Sequence, residues 1–384
     1  MGIRALQALK KEQKTEVQTV FIKNLIIGED LFAMDLLLSL KEKYGSENVS
    51  LLSFKTLTEN DLHLMGPSLL RGETNIKQLQ KLYPDVQLNQ VEVASSFYKE
   101  GSFKGFDGRA KSETLLWGEE AFVANRVDIN EKELFPFLKE ENAFEKIKES
   151  LIEYIPVKLR KATPVDLVEP DYFHITCSNG TQLNVENLYW CYSPQHFLDL
   201  YANKNELSDE FMEFCEETKA PSTLHIEMVF EKPIADNNET VFLPLSYTHE
   251  WGHFIGEFAP MESDGGKQRA KFMTFVDTDS TNEEEISKKI RLLKRQLEKI
   301  YEKFKSIPYT EFITLTDKSV CLKFDDSITQ RIKKELPNLF FAGLCAPLEH
   351  FEKDEVNFEY SSNELLFLAR GVTSLAQIKQ AQAL

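Results

Sequence analysis

Two short stretches of this sequence bring together residue types that do chemistry. His249-Glu250-Trp251-Gly252-His253 satisfies the spacing HExxH. On a helix the two histidines would stand one turn apart and hold a zinc ion, and Glu250 would activate the bound water for peptide hydrolysis. The second stretch is Leu25-Ile26-Ile27-Gly28-Glu29-Asp30-Leu31-Phe32-Ala33-Met34-Asp35. Its apolar run breaks at a glycine, where a dinucleotide-binding chain places its phosphate turn. Gly28 and Ala33 suit the first and third glycine places of that turn, but Asp30 occupies the second.

The zinc motif lacks a third protein ligand. Gly256 falls where peptidases of the metzincin type carry a glycine, yet the ligand after it would be Ala259, which has no metal-binding atom. Pro244, Gly252 and Gly256 interrupt any helix over Val241 to Phe258, and aromatic and polar residues nearly alternate there. The expectation is a hairpin of a second domain, with His249 and His253 as ordinary histidines and no metal. A zinc peptidase with Glu250 as base is the alternative. His63, His174, His196, His225 and His350 have no spaced partners and read as structural.

The elements that must position these residues follow from periodicity. Val20 to Ile27 reads as a buried strand, and Leu31, Met34, Leu37, Leu38 and Leu40 as the inner side of a helix stopped at Gly45. Val49 to Phe54 reads as the next strand, giving a βαβ opening. The region from Glu59 to Asn142 has no clear period. A helix is expected over Ala143 to Tyr154. Phe173 to Cys177, the turn Ser178-Asn179-Gly180 and Thr181 to Val185 make a hairpin, followed by a strand at Asn187 to Tyr192 and a helix from Gln195. Leu224 to Phe230 alternates as a half-buried strand does, and Phe272 to Val276 reads as another. Thr281 with Glu284 forms a capping box for a helix running to Lys305. A helix at Ser327 to Glu335, a strand at Asn338 to Gly343 and a C-terminal helix from about Ser361 complete the pattern.

Three separated pieces fit one template. The opening strand-glycine-helix-strand, the middle Leu188-Tyr189-Trp190-Cys191-Tyr192-Ser193-Pro194, and the late Leu336-Pro337-Asn338-Leu339-Phe340-Phe341-Ala342-Gly343 together resemble the flavin-containing amine oxidase superfamily, which includes protoporphyrinogen oxidases and carotenoid desaturases. The resemblance implies an α/β fold: a Rossmann-like FAD/NAD(P)-binding lobe with a second, mixed sheet-plus-helix domain of the substrate type. It assigns residues 18–65, 143–205 and 325–384 to the first lobe, and 66–142 and 206–324 to the second. It places the FAD site at Gly28, Glu29, Asp30, Ala33, Ser53, Gly343 and Leu344.

Those positions depart from the template. A carboxylate at Asp30 fills the space a pyrophosphate needs and brings negative charge to a helix N-terminus that otherwise attracts anions. At about 5 Å and an effective dielectric near 20, each repulsive charge pair costs roughly 3 kcal/mol. Glu29 adds to it. Ser53 stands where the template has a ribose-binding acid, and Leu344 follows Gly343 where an acidic residue is common. The expectation is that Asp30 caps the helix in place of a phosphate. No cofactor is then favoured, FAD being the alternative, and the chain is a degenerate, noncatalytic relative acting as a binding or partner protein. An active FAD-dependent oxidoreductase of an amine or apolar substrate is the competing reading.

The 384 residues are 42% hydrophobic and 28% charged, enough for two sizeable cores. A formal charge of -17 disfavours a nucleic-acid partner. The basic run Lys288 to Arg295 interleaves apolar residues at helical spacing, as a solvated amphipathic helix does. Cys177, Cys191, Cys215, Cys321 and Cys345 form no CxxC pair, and no membrane-spanning run is present. The expected location is the cytoplasm, and the expected partner is a protein or an apolar small molecule.

Overall fold

The computed structural model describes residues 19–63, 69–71, 76–77, 80, 84–92, 94–105, 125–128, 130–162, 171–217, 222–236, 240–243, 254–259, 266–276, 282–316 and 326–342. The chain enters a sheet through β1 (Thr19–Ile27), turns at Gly28 into α1 (Leu31–Tyr44) and returns as β2 (Val49–Leu52), parallel to β1. Gly45 closes α1 with φ of 87°, a left-handed conformation that glycine adopts without strain, and its N–H donates to the Lys41 carbonyl. Three strands of the unpatterned region, β3 (Leu69–Arg71), β4 (Asn89–Glu92) and, later in the chain, Asn125–Asp128, form a small antiparallel sheet. Between them β5 (Ser95–Lys99) and β6 (Ser102–Gly105) make a hairpin, so Asn125–Asp128 is β7.

Short helices α2 (Glu131–Leu134) and α3 (Ala143–Lys148) lead to β8 (Leu151–Ile152). The helix expected to run to Tyr154 therefore stops at Lys148, because Leu151 and Ile152 pair in parallel with β2. Next come β9 (Pro156–Ala162), β10 (Tyr172–Cys177) and β11 (Gln182–Trp190), then α4 (Pro194–Leu200) and α5 (Asp209–Glu217). The order in the first sheet is β8-β2-β1-β11-β10-β9. β11 runs parallel to β1 along its whole length and changes partner on its other edge. Its first half pairs antiparallel with β10, and its last three residues pair in parallel with the late strand Leu339–Phe341.

The second sheet gathers β12 (Ser222–Phe230), β13 (Thr240–Leu243), β14 (Phe254–Phe258), β15 (Gln268–Val276) and β16 (Tyr309–Thr316) with the early hairpin, in the order β16-β12-β15-β14-β13-β5-β6. Helix α6 (Glu283–Ile300) presses Leu293 and Leu297 against Leu224, Ile226 and Phe272. Its cap is Asn282, whose Oδ1 accepts the Glu285 N–H at 3.0 Å, rather than the expected Thr281 box; Thr281 lies outside the described residues. β12 is buried on both faces: Thr223 and His225 are covered like Leu224 and Ile226, and Glu227, at the edge of a cleft, is also buried. The half-buried reading is corrected accordingly. Helix α7 (Asp326–Glu335) and β17 (Leu339–Phe341) bring the chain back to the first sheet.

Two cores flank that first sheet. On one side Ile26, Leu51 and Tyr189 meet Leu36 and Leu37 of α1, Ile147 of α3, and Phe135 and Phe137. On the other, Leu188 and Trp190 meet Phe197 of α4, Phe211 of α5 and Ile332 of α7. The continuous apolar ends of β1, Leu25-Ile26-Ile27, and of β11, Leu188-Tyr189-Trp190, reflect this double coverage, as parallel strands require.

Candidate functional site

Three strands end level at the turn after β1. Gly28 donates its N–H to the Leu52 carbonyl at 2.9 Å, and Cys191 donates to the Ile27 carbonyl at 2.8 Å. A Cβ on Gly28 would lie 2.6 Å from the Ala33 Cβ and 2.7 Å from the Cys191 Cβ. Helix, turn and strand are in contact there.

Asp30 is the N-cap of α1. Its backbone is extended, with φ of -100° and ψ of 173°, and Oδ1 accepts the Ala33 N–H at 2.8 Å. The Phe32 N–H also bonds to the carboxylate. These are donors that a pyrophosphate at this turn would take. Burial pushes the Asp30 carboxyl from its ordinary 3.8 up to about 6, with the Glu29 charge adding and the two backbone donors opposing.

Glu29 points toward the end of β2. It accepts the Tyr192 hydroxyl proton at 2.8 Å and lies 4.0 Å from Lys55 Nζ. Lys55 also pairs with Asp61 at 2.7 Å, and Asp61 accepts the Thr58 N–H. Ser53, immediately past β2, is buried; its Oγ accepts the Lys55 N–H at 3.2 Å, and it also bonds Glu29 and Tyr192. Burial raises the Glu29 carboxyl above its usual range, opposed first by Lys55 and then by the Tyr192 bond. The Tyr192 hydroxyl is pushed well up by burial and by the Glu29 charge.

The turn that the sequence singled out thus gathers Gly28, Glu29, Asp30, Ala33 and Ser53. Tyr192, Lys55 and Asp61 complete the network and were not anticipated, although Tyr192 belongs to the Trp190 to Pro194 stretch already quoted. Gly343 and Leu344 lie outside the described residues.

Replacing Tyr192 by Phe tests the network. Glu29 loses a hydrogen bond while remaining largely buried, so Tyr192→Phe is expected to cost about 1–2 kcal/mol at pH 8. Because that bond stabilises the ionised carboxylate, the cost should shrink toward pH 4, where Glu29 is protonated. Urea melts at the two pH values provide the check; a pH-independent loss would contradict it.

His249, Glu250 and His253 also lie outside the described residues. β13 and β14, which flank them, pair antiparallel from Val241↔Gly256 to Leu243↔Phe254. Gly256 has a packing role in this hairpin, since a Cβ there would lie 2.5 Å from the Phe272 ring. Among the described residues no group of three His, Cys, Asp or Glu could hold a metal ion. A cleft of about 660 Å³ separates Lys55, Asp61 and His63 from the second sheet's Glu227 and Arg269, which pair at 2.7 Å. Its walls mix these charges with Val229, Phe312, Ile313 and Leu315. Among the described residues no helix is long and apolar enough to cross a membrane.

Neither a family model nor a curated protein matches the chain. Solved structures do. Cyclohexylamine oxidase from Brevibacterium oxydans superposes with a TM-score of 0.54 at 9% identity, over 94% of this chain and 100% of that one. An oxidoreductase from Methanosarcina mazei gives 0.51 at 11% identity, over 93% and 100%. Reduced UDP-galactopyranose mutase gives 0.50 at 12% identity, over 94% and 96%. Together with the parallel βαβ opening, the late return of β17 beside β11 and the separate sheet packed on α6, these likenesses establish that the chain has the two-sheet α/β fold of the flavin amine oxidases.

Proposed function

We propose that the chain uses this fold without FAD, as a noncatalytic binding protein. The observation that carries the reading is the Asp30 carboxylate seated on the Ala33 N–H at 2.8 Å, with Glu29 bonded to Tyr192 beside it. A pyrophosphate needs those helix N–H groups and neutral space in front of them. The turn supplies a carboxylate in each respect, so its residues do not fit the cofactor, and no step of chemistry is derived through it.

The reading is tested by the visible spectrum of protein purified without added flavin, followed by titration with FAD under fluorescence. The expected results are a colourless protein and no saturable quenching. Co-purifying flavin that is reduced on adding an amine would establish the second reading, an active FAD-dependent oxidoreductase. That alternative is supported by the fold and by the retained pair Gly28 and Ala33.

A further inference from the structure

Among the described residues no element covers one face of the first sheet at one of its ends. Where β9, β10, β11 and β1 lie side by side, strand register sets two rows of side chains across the sheet. One row is Arg160, His174, Asn184 and Phe21; the next is Lys158, Thr176, Gln182 and Thr19. Residues directly opposite in neighbouring strands project to the same side, so each row lies on one face. The other face carries Ile22, Leu159, Phe173, Ile175, Leu183 and Val185, all buried in the core.

Four features of this face belong together. Lys158, Arg160, His174, Thr176 and Gln182 line a depression of about 130 Å³, and every one of them can donate a hydrogen bond. His174 Nδ1 lies 2.8 Å from Asn184 Oδ1, which holds the imidazole in the row. Across the four strands the single carboxylate is Glu186, on the same face two residues beyond Asn184, where it lies level with Lys23 and is offset by it. Phe21, at the far end of the first row, is 63% exposed, the most of any large hydrophobic residue among those described. Cations on β9 also protect a sheet edge from pairing with other chains. Edge protection does not account for an exposed phenylalanine three strands further in.

We infer that this face docks a short acidic polypeptide segment, its carboxylates on Lys158 and Arg160 and an apolar side chain on Phe21. Three strand spacings separate Arg160 from Phe21, about 14 Å, which an extended segment spans in about four residues. The chain's formal charge of -17 repels a long polyanion, and a nucleic-acid backbone would carry its charges past the two rows onto that field. A short segment needs only the cations present. This deepens the binding-protein reading by naming a partner class, and the two fail separately: bound flavin would overturn that reading and leave this face untouched.

The experiment is fluorescence anisotropy of the full chain with a labelled, C-terminally amidated peptide Glu-Glu-Gly-Leu, which carries two carboxylates and one leucine over about four residues. The expected result is saturable binding that weakens as salt rises. The double reversal Lys158→Glu with Arg160→Glu should weaken it about tenfold or more, and Phe21→Ser about threefold, with unchanged melting because these side chains are exposed. If the reversal variant does not fold, Lys158→Gln with Arg160→Gln serves in its place. Absence of saturation, equal binding by the charge variants, or tighter binding of an oligothymidylate of the same length overturns the proposal.

Discussion

Asp30→Asn is expected to stabilise the protein by about 2 kcal/mol at pH 8 and to leave its stability unchanged at pH 4. The carboxyl's folded value of about 6 lies above its ordinary 3.8, so the folded state holds the proton more tightly than the unfolded state does. The stabilisation that comes with the protonated form is complete below 3.8 and is lost as pH rises through 6. Above that range the native protein carries a buried, partly desolvated charge beside Glu29. Asparagine keeps an oxygen to accept the Ala33 N–H, being as good an N-cap as aspartate, and removes the charge. The measurement is the difference between urea unfolding free energies of parent and variant across pH 4 to 8, which cancels every other titrating group to first order. A difference that is flat with pH, or a variant less stable at pH 8, would sink the electrostatic account of this turn.

The same substitution bears on the cofactor. Neutralising Asp30 removes one repulsive charge, but Glu29 stays anchored by Tyr192 and Lys55 and Ser53 remains in place of a carboxylate. Asp30→Asn alone should therefore gain stability without gaining FAD. Stability and cofactor affinity are expected to separate at this site because asparagine at position 30 removes the buried charge but still occupies the Ala33 N–H that a pyrophosphate would need.

How much of this could be read beforehand depended on sequence separation. The βαβ opening and the Asn179-Gly180 turn were legible because each is set by neighbours a few residues apart; Gly180, with φ of 88°, takes a conformation suited to glycine. The region from Glu59 to Asn142 was not, since β5 finds its place only by pairing with β13, Ser95 opposite Thr240. Alternation in β12 signalled polar residues at Thr223, His225 and Glu227 but not that the second face is covered too. At the site, the unusual residues Asp30 and Glu29 were visible at once. Tyr192, the partner of Glu29, lies 163 residues away, and nothing local in Cys191-Tyr192-Ser193 announces a hydroxyl aimed at that turn.

Gly28→Ala is expected to be the most damaging single substitution at the turn, costing about 3 kcal/mol or preventing folding. The new Cβ would sit 2.6 Å from the Ala33 Cβ and 2.7 Å from the Cys191 Cβ, both buried and both fixed to backbone rather than to a rotatable side chain. Relief requires α1 or β11 to move away from β1, which opens packing along Ile26, Leu37 and Tyr189. A double-mutant cycle isolates the cause. Ala33→Gly alone should cost about 1 kcal/mol through helix propensity. Combined with Gly28→Ala it removes one of the two collisions, so the double variant should be more stable than the sum of the single losses by about 1 kcal/mol or more. Additive losses would show that Gly28 is held for another reason. The cycle matters for function because it gives this glycine a purpose with no phosphate in it: close contact of turn, helix and strand suffices to account for Gly28 in a turn that carries Asp30 two residues later.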